Sequence, residues 1–184
     1  MIPSAWPPHR LTPFGSANHR LKMLQLALSE QVEQGLIADD IELGRSGPSY
    51  TLDTLSEIRA RVGIEASICL CLGIDSFADI NTWDKWRSLL DIAHIVVAKR
   101  PGWGEPKNQE VLEFMKKWRA ASIKQFHEAP AGKIFIMKMT PLRISSTEIR
   151  SALLKKESTS CLLPDTVANY IKENELYQKT RDIL

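Results

Sequence analysis

The sequence predicts a doubly wound α/β fold built on a parallel sheet. Three apolar runs, at 66–72, 94–98 and 133–139, are continuous rather than alternating, as expected of strands covered on both faces. Segments with apolar residues at helical spacing separate them, and strands alternating with helices indicate a layered parallel sheet. At 184 residues the chain is long enough to bury a real core as one domain spanning 1–184.

The elements follow in order. Residues 3–15 hold four of the ten prolines and read as an irregular loop. Ser16 is placed to cap a helix running to about Ser29, with an apolar stripe of Leu21, Met23, Leu24 and Leu28. Asp40 to Leu43 reads as a short strand, and Gly44 to Ser49 as a turn. Thr51 to Val62 is amphipathic through Leu52, Leu55, Ile58 and Val62, a second helix. The apolar run Ala66 to Leu72 is the first covered strand. Thr82 to Leu90 reads as a helix, His94 to Ala98 as the next strand, and Lys107 to Ala121 as a charged helix with apolar positions Val111, Leu112, Met115 and Trp118. A strand at 133–139, a helix opened by Ser145 and a last helix from Pro164 to Glu173 complete the series. No internal repeat or low-complexity tract interrupts it.

Composition narrows the classes of function. Hydrophobic content of 43% and charged content of 25% are those of a soluble globular protein. A net charge of +2 is too small to argue for a nucleic-acid partner. No apolar run reaches the roughly 20 residues of a membrane helix, and the N-terminus lacks a signal-peptide pattern. Cys69 and Cys71 stand two apart in an apolar run, so on a strand both point to one face, where buried thiols are expected. Cys161 has no neighbouring cysteine, and His9, His19, His94 and His127 have no zinc spacing, so no metal site is expected. Three cysteines of this kind fit a reducing cytoplasm.

Two segments carry candidate chemistry. In Pro-Leu-Arg-Ile-Ser-Ser-Thr-Glu-Ile-Arg at 141–150, three hydroxyls (Ser145, Ser146, Thr147) fall where a helix N-terminus leaves backbone N–H groups unpaired. Arg150 follows one turn later. Unpaired N–H groups, hydroxyls and a guanidinium suit a phosphate; a plain Ser N-cap with a surface Arg accounts for the same residues. In Gly73-Ile74-Asp75-Ser76, a Gly-x-Asp beyond a covered strand lets backbone approach a ligand while the carboxylate accepts ribose hydroxyls. An ordinary turn is the alternative.

Taken together, the segments resemble bacterial nicotinate-nucleotide adenylyltransferase, of the nucleotidyltransferase α/β superfamily. The matching pieces begin with Ile2-Pro3, Trp6-Pro7-Pro8-His9-Arg10 and Arg20-x-x-Met23-Leu24-x-Leu26-Ala27. Next come Glu42-Leu43-x-Arg45, Gly47-Pro48-Ser49-Tyr50-Thr51-x-x-Thr54-Leu55, and Gly73-x-Asp75-Ser76 with Thr82-Trp83. His94-x-x-Val97-x-x-Arg100-Pro101-Gly102, Ile144-Ser145-Ser146-Thr147-x-Ile149-Arg150 and Leu163-Pro164-x-x-Val167-x-x-Tyr170-Ile171 close the series. The order and spacing across nearly the whole chain make the resemblance specific.

The resemblance implies a Rossmann-like nucleotidyltransferase fold and a reaction joining ATP to nicotinate mononucleotide, giving deamido-NAD and pyrophosphate with Mg²⁺ in NAD synthesis. Such phosphoryl chemistry needs positioning and charge neutralisation rather than an activated nucleophile on the protein. By the same resemblance, Ser145, Ser146, Thr147 and Arg150 bind ATP phosphate, and Gly73 and Asp75 hold the central region and ribose. Tyr50, Thr51 and Trp83 form the nicotinate pocket, with an indole face for the pyridine ring and backbone N–H groups for its carboxylate. Packing of Trp83 and Trp86 on one helix face is the rival account of Trp83. His9 and Arg10 belong to the family's mobile substrate loop.

The family's Gly-x-Phe-x-Pro-x-His-x-Gly-His motif, which opens it with a strand–helix–strand unit, is not in this sequence. The resemblance therefore implies an N-terminally truncated fold, with about thirty residues expected upstream, and assigns no catalytic residue within 1–184. Loss of even one transition-state donor of that kind costs about 10²–10³ in rate. A relative that binds nucleotide without turnover is the alternative reading, and the oligomeric state is open, a homo-oligomer being compatible.

Overall fold

A computed structural model describes residues 1–6, 15–29, 34–99, 102, 104–140, 144–160 and 162–178. In chain order the helices are α1 (Ala17–Leu28), α2 (Thr51–Val62), α3 (Ile74–Ala78), α4 (Leu89–Ile92), α5 (Gln109–Trp118), α6 (Ser146–Leu154) and α7 (Asp165–Glu173). The strands are β1 (Cys69–Gly73), β2 (His94–Lys99) and β3 (Ile134–Lys138). Two compact units result, Tyr50–Pro141 and Met1–Ser49 with Leu142–Leu184.

The unit Tyr50–Pro141 carries the sheet. Its three strands are parallel in the order β1-β2-β3, with Cys69 opposite His94 and Ile95 opposite Ile134. Among the described strands only β2 has a neighbour on each side, and its first four residues are buried. Alternation along β2 sends Ile95 and Val97 into the main core with Phe77, Ile80, Leu89, Val111 and Ile134, and Val96 into a second cluster with Ala120 and Phe126. Apolar packing on both faces of β2 is what the continuous run at 94–98 predicts. Helix α5 begins where the Asn108 side chain accepts from the N–H groups of Glu110 and Val111 (2.9 and 3.2 Å). Helix α2 stops at Gly63, whose φ of +89° most side chains disfavour.

Two polar side chains lock this unit. Arg59, in the last turn of α2, donates from Nη1 to the carbonyls of Gly63 (3.0 Å), Ile64 (3.3 Å) and Ala66. Its Nη2 donates to the carbonyls of Ile92 (2.5 Å) and Pro130 (3.1 Å). One guanidinium thus joins the end of α2, the entry to β1, the end of α4 and the turn before β3. His94 is fully buried and stacks on Phe126 with ring centroids 4.1 Å apart. Its Nδ1 accepts from the Lys133 N–H (3.1 Å), so the ring proton sits on Nε2 and is donated to the Ala129 carbonyl (2.8 Å).

Substituting His94→Phe preserves the stack but strands the Lys133 N–H and the Ala129 carbonyl. The expected loss is about 2–4 kcal/mol of stability, since each buried polar group left unpaired costs about 1–3 kcal/mol. Urea unfolding would measure it, and a change below about 0.5 kcal/mol, the range of an unremarkable surface substitution, would mean the two bonds are dispensable.

In the other unit, Ser16 caps α1 by accepting from the His19 N–H (3.3 Å). Helix α1 packs on α7, where His19 Nδ1 and the Tyr170 hydroxyl are 2.8 Å apart. The N-terminal segment runs beside 39–49: the Asp39 N–H donates to the Met1 carbonyl (2.9 Å) and the Ser49 N–H to the Trp6 carbonyl (2.8 Å). Arg20 ties Ser4 and Ala5 to α1 through their carbonyls (2.5 and 3.4 Å). Burial pulls its guanidinium below the usual range, opposed by Tyr177 and Glu42.

Four sequence expectations are corrected. Residues 40–43 form turns rather than a strand: Asp39 Oδ1 accepts from the Ile41 N–H (2.9 Å), and the Leu43 N–H returns to the Asp40 carbonyl (2.7 Å). This local closure satisfies backbone groups that a strand would need a neighbour to pair. The run at 66–72 is not covered on both faces, because β1 is an edge of the described sheet with the burial of an edge. Cys69 and Cys71 do share a face, as expected, but both are exposed. Finally, 82–90 is broken into two 3₁₀ turns (Ile80–Thr82, Trp86–Ser88) and the start of α4, with Trp83 extended and Lys85 at φ +47° between them. Helix α3 and the 3₁₀ turn Ile123–His127 were not foreseen; neither is long enough to show a helical period.

Candidate functional site

Strand β1 ends in Gly73, which is also the N-cap of α3, so the backbone turns from strand to helix within one residue. Its φ of −67° is open to any residue, so conformation does not demand glycine here. Space does. A Cβ on Gly73 would meet Asp75 Oδ1 well inside the 3.0 Å that real contacts keep. The Asp75 carboxylate is therefore folded back over the Cα of Gly73, at the carboxyl end of the sheet, where doubly wound folds bind ligands. The absence of a side chain at Gly73 leaves the space that this carboxylate occupies.

Tyr50 and Thr51 open α2. Tyr50 is the N-cap residue but provides no side-chain cap, its carbonyl alone accepting from the Thr54 N–H (3.2 Å). The first-turn N–H groups of α2 thus lack the side-chain acceptor that Asn108 gives α5, and they remain available to an anion. Trp83 is half-buried against the same core as Leu52 of α2. Its backbone is extended, so the rival account of Trp83 and Trp86 on one helix face fails. Trp86 is the buried one of the two, with its ring edge-on to Phe114 at 4.6 Å and the Arg87 guanidinium 4.3 Å from its centroid.

The hydroxyl-rich turn opens α6. Ser145 is its N-cap, accepting from the Glu148 N–H (3.1 Å) while donating to the Glu148 carboxylate (2.8 Å). The helix-cap reading of Ser145 is thereby realised. Ser146 and Thr147 occupy the first turn, exposed, and their hydroxyls have no partner among the described residues. Arg150 lies one turn on, half-buried, with its Nε turned away from solvent. His9 and Arg10 lie outside the described residues, as do Arg100 and Pro101.

One open cleft of about 440 Å³ lies elsewhere in the unit Tyr50–Pro141, lined by Arg87, Asp91, Glu110, Phe114 and Trp118 among others. It faces the strand entries at Leu90 and Gly132, away from Gly73, and includes none of the predicted site residues. The Arg87–Glu110 ion pair spans it.

Comparison with known proteins identifies the chain. A family model described as cytidylyltransferase-like matches residues 1–152. A Marinomonas protein named a probable nicotinate-nucleotide adenylyltransferase is 40% identical over 178 residues, covering 97% of this chain and 80% of that protein. The chain belongs to the nicotinate-nucleotide adenylyltransferases, within the cytidylyltransferase-like family. A second adenylyltransferase so named, from Aeromonas hydrophila, is 36% identical over 97% of this chain and 82% of its own. In fold, the chain is similar to the Plasmodium falciparum nicotinic acid mononucleotide adenylyltransferase complexed with NaAD, at a TM-score of 0.68 and 17% identity, over 96% of this chain and 80% of that one. The sequence resemblance to adenylyltransferases, and the α/β fold with a parallel sheet that it implied, therefore hold. No described helix is long and apolar enough to cross a membrane.

Proposed function

We propose that this adenylyltransferase joins ATP to nicotinate mononucleotide, releasing pyrophosphate and forming deamido-NAD. The phosphate of the mononucleotide attacks the α-phosphorus of ATP in line, and the bond to the β,γ-pyrophosphate breaks. No side chain is consumed. The work of the protein is to hold two anions end to end and to offset their charge.

The observation that carries this reading is the Asp75 carboxylate at the end of β1, folded back over Gly73 and placed to accept ribose hydroxyls. Tyr50, Thr51 and Trp83 supply the nicotinate subsite. The uncapped N–H groups of α2 take its carboxylate, and the indole takes its ring. Ser146, Thr147 and Arg150, with the cap residue Ser145, grip ATP phosphate at the start of α6. By the same resemblance, His9 and Arg10 contribute to substrate binding. Mg²⁺, the ion the resemblance implies, would accompany ATP and help offset the charge on its phosphates beside Ser145, Ser146, Thr147 and Arg150. In this reading residues 1–184 act as one nucleotidyltransferase domain in the cytoplasm, where ATP is made.

A second reading is nucleotide binding without turnover. Calorimetry and a pyrophosphate-release assay on the chain separate the two. Both readings expect ATP and deamido-NAD to bind, and Arg150→Ala to weaken ATP about tenfold or more, the scale of one lost charge-assisted hydrogen bond. Turnover supports the first reading; binding without turnover supports the second. Failure of either nucleotide to bind defeats both.

A further inference from the structure

Between α3 and α4 the chain holds one strained residue, Lys85, with φ +47° and ψ +36° in the left-handed region. Among the described residues of the unit Tyr50–Pro141 it is the one non-glycine residue with positive φ. We propose that Lys85 is a positioning residue for the nicotinate substrate, on the reading above that Trp83 takes its ring. Its left-handed backbone breaks the helix that the sequence favours over 82–90, and so holds Trp83 apart from Trp86.

A lysine does not enter this region by default. Glycine does so freely and asparagine or aspartate fairly often, whereas other residues stay there when their surroundings force it, above all at ligand clamps. Lys156 and Glu175 also have positive φ, but each follows the end of a helix, α6 or α7, where chains routinely turn left-handed. Lys85 opens a helical turn instead. Its carbonyl accepts from the Ser88 N–H (2.9 Å) as the 3₁₀ turn Trp86–Ser88 begins. Its ammonium is exposed and has no partner among the described residues, so what Lys85 contributes is backbone shape.

Two buried anchors hold the strain in place. Ile80 is fully buried, and its carbonyl accepts from the Trp83 N–H (3.0 Å). Trp86 is buried edge-on against Phe114, with the Arg87 guanidinium over its ring. On a continuous helix, Trp83 and Trp86, three residues apart, would share one face. With Trp83 extended (φ −82°, ψ 146°) and Lys85 left-handed, Trp86 alone takes the buried place. Trp83 stays half-buried beside the core that holds Leu52, in the first turn of α2. A ring that must meet a ligand ring needs a fixed backbone, because a misplacement near 1 Å can cost about a hundredfold in well-ordered sites.

Calorimetry on the 184-residue chain with nicotinate mononucleotide and, separately, with ATP tests the assignment. Lys85→Ala and Lys85→Asn should bind the mononucleotide as the parent does, since alanine tolerates this backbone as lysine does and asparagine favours it. Lys85→Val, whose β-branched side chain is a genuine outlier there, should weaken the mononucleotide about tenfold or more while ATP affinity holds. Added to Trp83→Ala, Lys85→Val should cost nothing further, because it acts through that ring. Weaker mononucleotide binding by Lys85→Ala assigns the effect to the ammonium and overturns the proposal. Weaker binding by Lys85→Asn overturns it too, an outcome that can be read even where the valine variant misfolds. Equal weakening of both ligands by Lys85→Val, or an additive loss with Trp83→Ala, also overturns it. A parent chain that binds no nicotinate mononucleotide defeats the nicotinate reading and this assignment with it. A parent that binds, with Lys85→Val binding equally well, defeats this assignment alone.

Discussion

Arg59→Ala is expected to destabilise the protein by about 3–5 kcal/mol, the largest single effect on stability foreseen here. A hydrogen bond from a charged donor contributes about 1.5–3 kcal/mol, and stranded acceptors add their own desolvation cost. Arg59 serves five carbonyls, those of Gly63, Ile64, Ala66, Ile92 and Pro130. The sum is far from additive, because several of these carbonyls regain water once the side chain is gone. The loss nevertheless spans four segments: the end of α2, the lead into β1, the end of α4 and the turn before β3. Arg59→Lys should recover little of it. A point ammonium has three donors on one atom and cannot reach carbonyls on both sides as a planar fork does. Urea denaturation measures both variants through the midpoint at constant slope. A shift equivalent to less than about 1 kcal/mol for Arg59→Ala would show that the guanidinium is a bystander.

Gly73→Ala should do the opposite, leaving stability nearly intact while damaging nucleotide binding. The backbone at Gly73 has a φ that alanine adopts freely, so no strain arises from conformation. The new methyl instead occupies the place of Asp75 Oδ1 and turns the carboxylate away. A displacement near 1 Å of a positioning group costs about a hundredfold in well-ordered sites. The expected result is deamido-NAD or ATP binding weakened about 10- to 100-fold, with an unfolding midpoint within about 0.5 kcal/mol of the parent. Asp75→Ala should match it in binding. If Gly73→Ala binds nucleotide normally while Asp75→Ala does not, the carboxylate works from a different rotamer and the folded-back geometry is irrelevant to function.

The sheet was legible where the chain alone sets the pattern. The run at 94–98 is apolar because both faces of β2 are packed, and helices α1, α2 and α7 lie within about a residue of where their caps and apolar periods put them; α6 starts at its expected cap, while α5 is shorter than expected at both ends. Ser16, Asn108 and Ser145 act as caps through bonds three residues long at most, which sequence spacing can specify. The candidate site residues rest on a different channel. Gly73, Asp75, Tyr50, Thr51 and the 145–150 turn stand out only as an ordered series, since each alone is also a plausible turn or cap.

What sequence could not reach depends on partners distant along the chain. Arg59 reads as one more basic residue in a helix's last turn, until Ile92 and Pro130 arrive 33 and 71 residues later. His94 looks like a polar start to a strand, yet its two bonds and its stacking ring all come from 126–133. The same limit explains the errors. A continuous apolar run does not say whether a strand ends up central or at an edge, so Cys69 and Cys71 were expected inside and are exposed. The residues of 40–43 have strand-like composition, but an Asx turn at Asp39 closes locally where no ladder forms.

The sequence by itself determined the fold class, the family and the capped helices, because these rest on local spacing and on order along the chain. Only the tertiary structure decided which strand is covered, which arginine binds the unit together and where the Asp75 carboxylate lies. Those outcomes depend on which distant carbonyl, ring or strand reaches each side chain, and spacing along the chain carries no record of that.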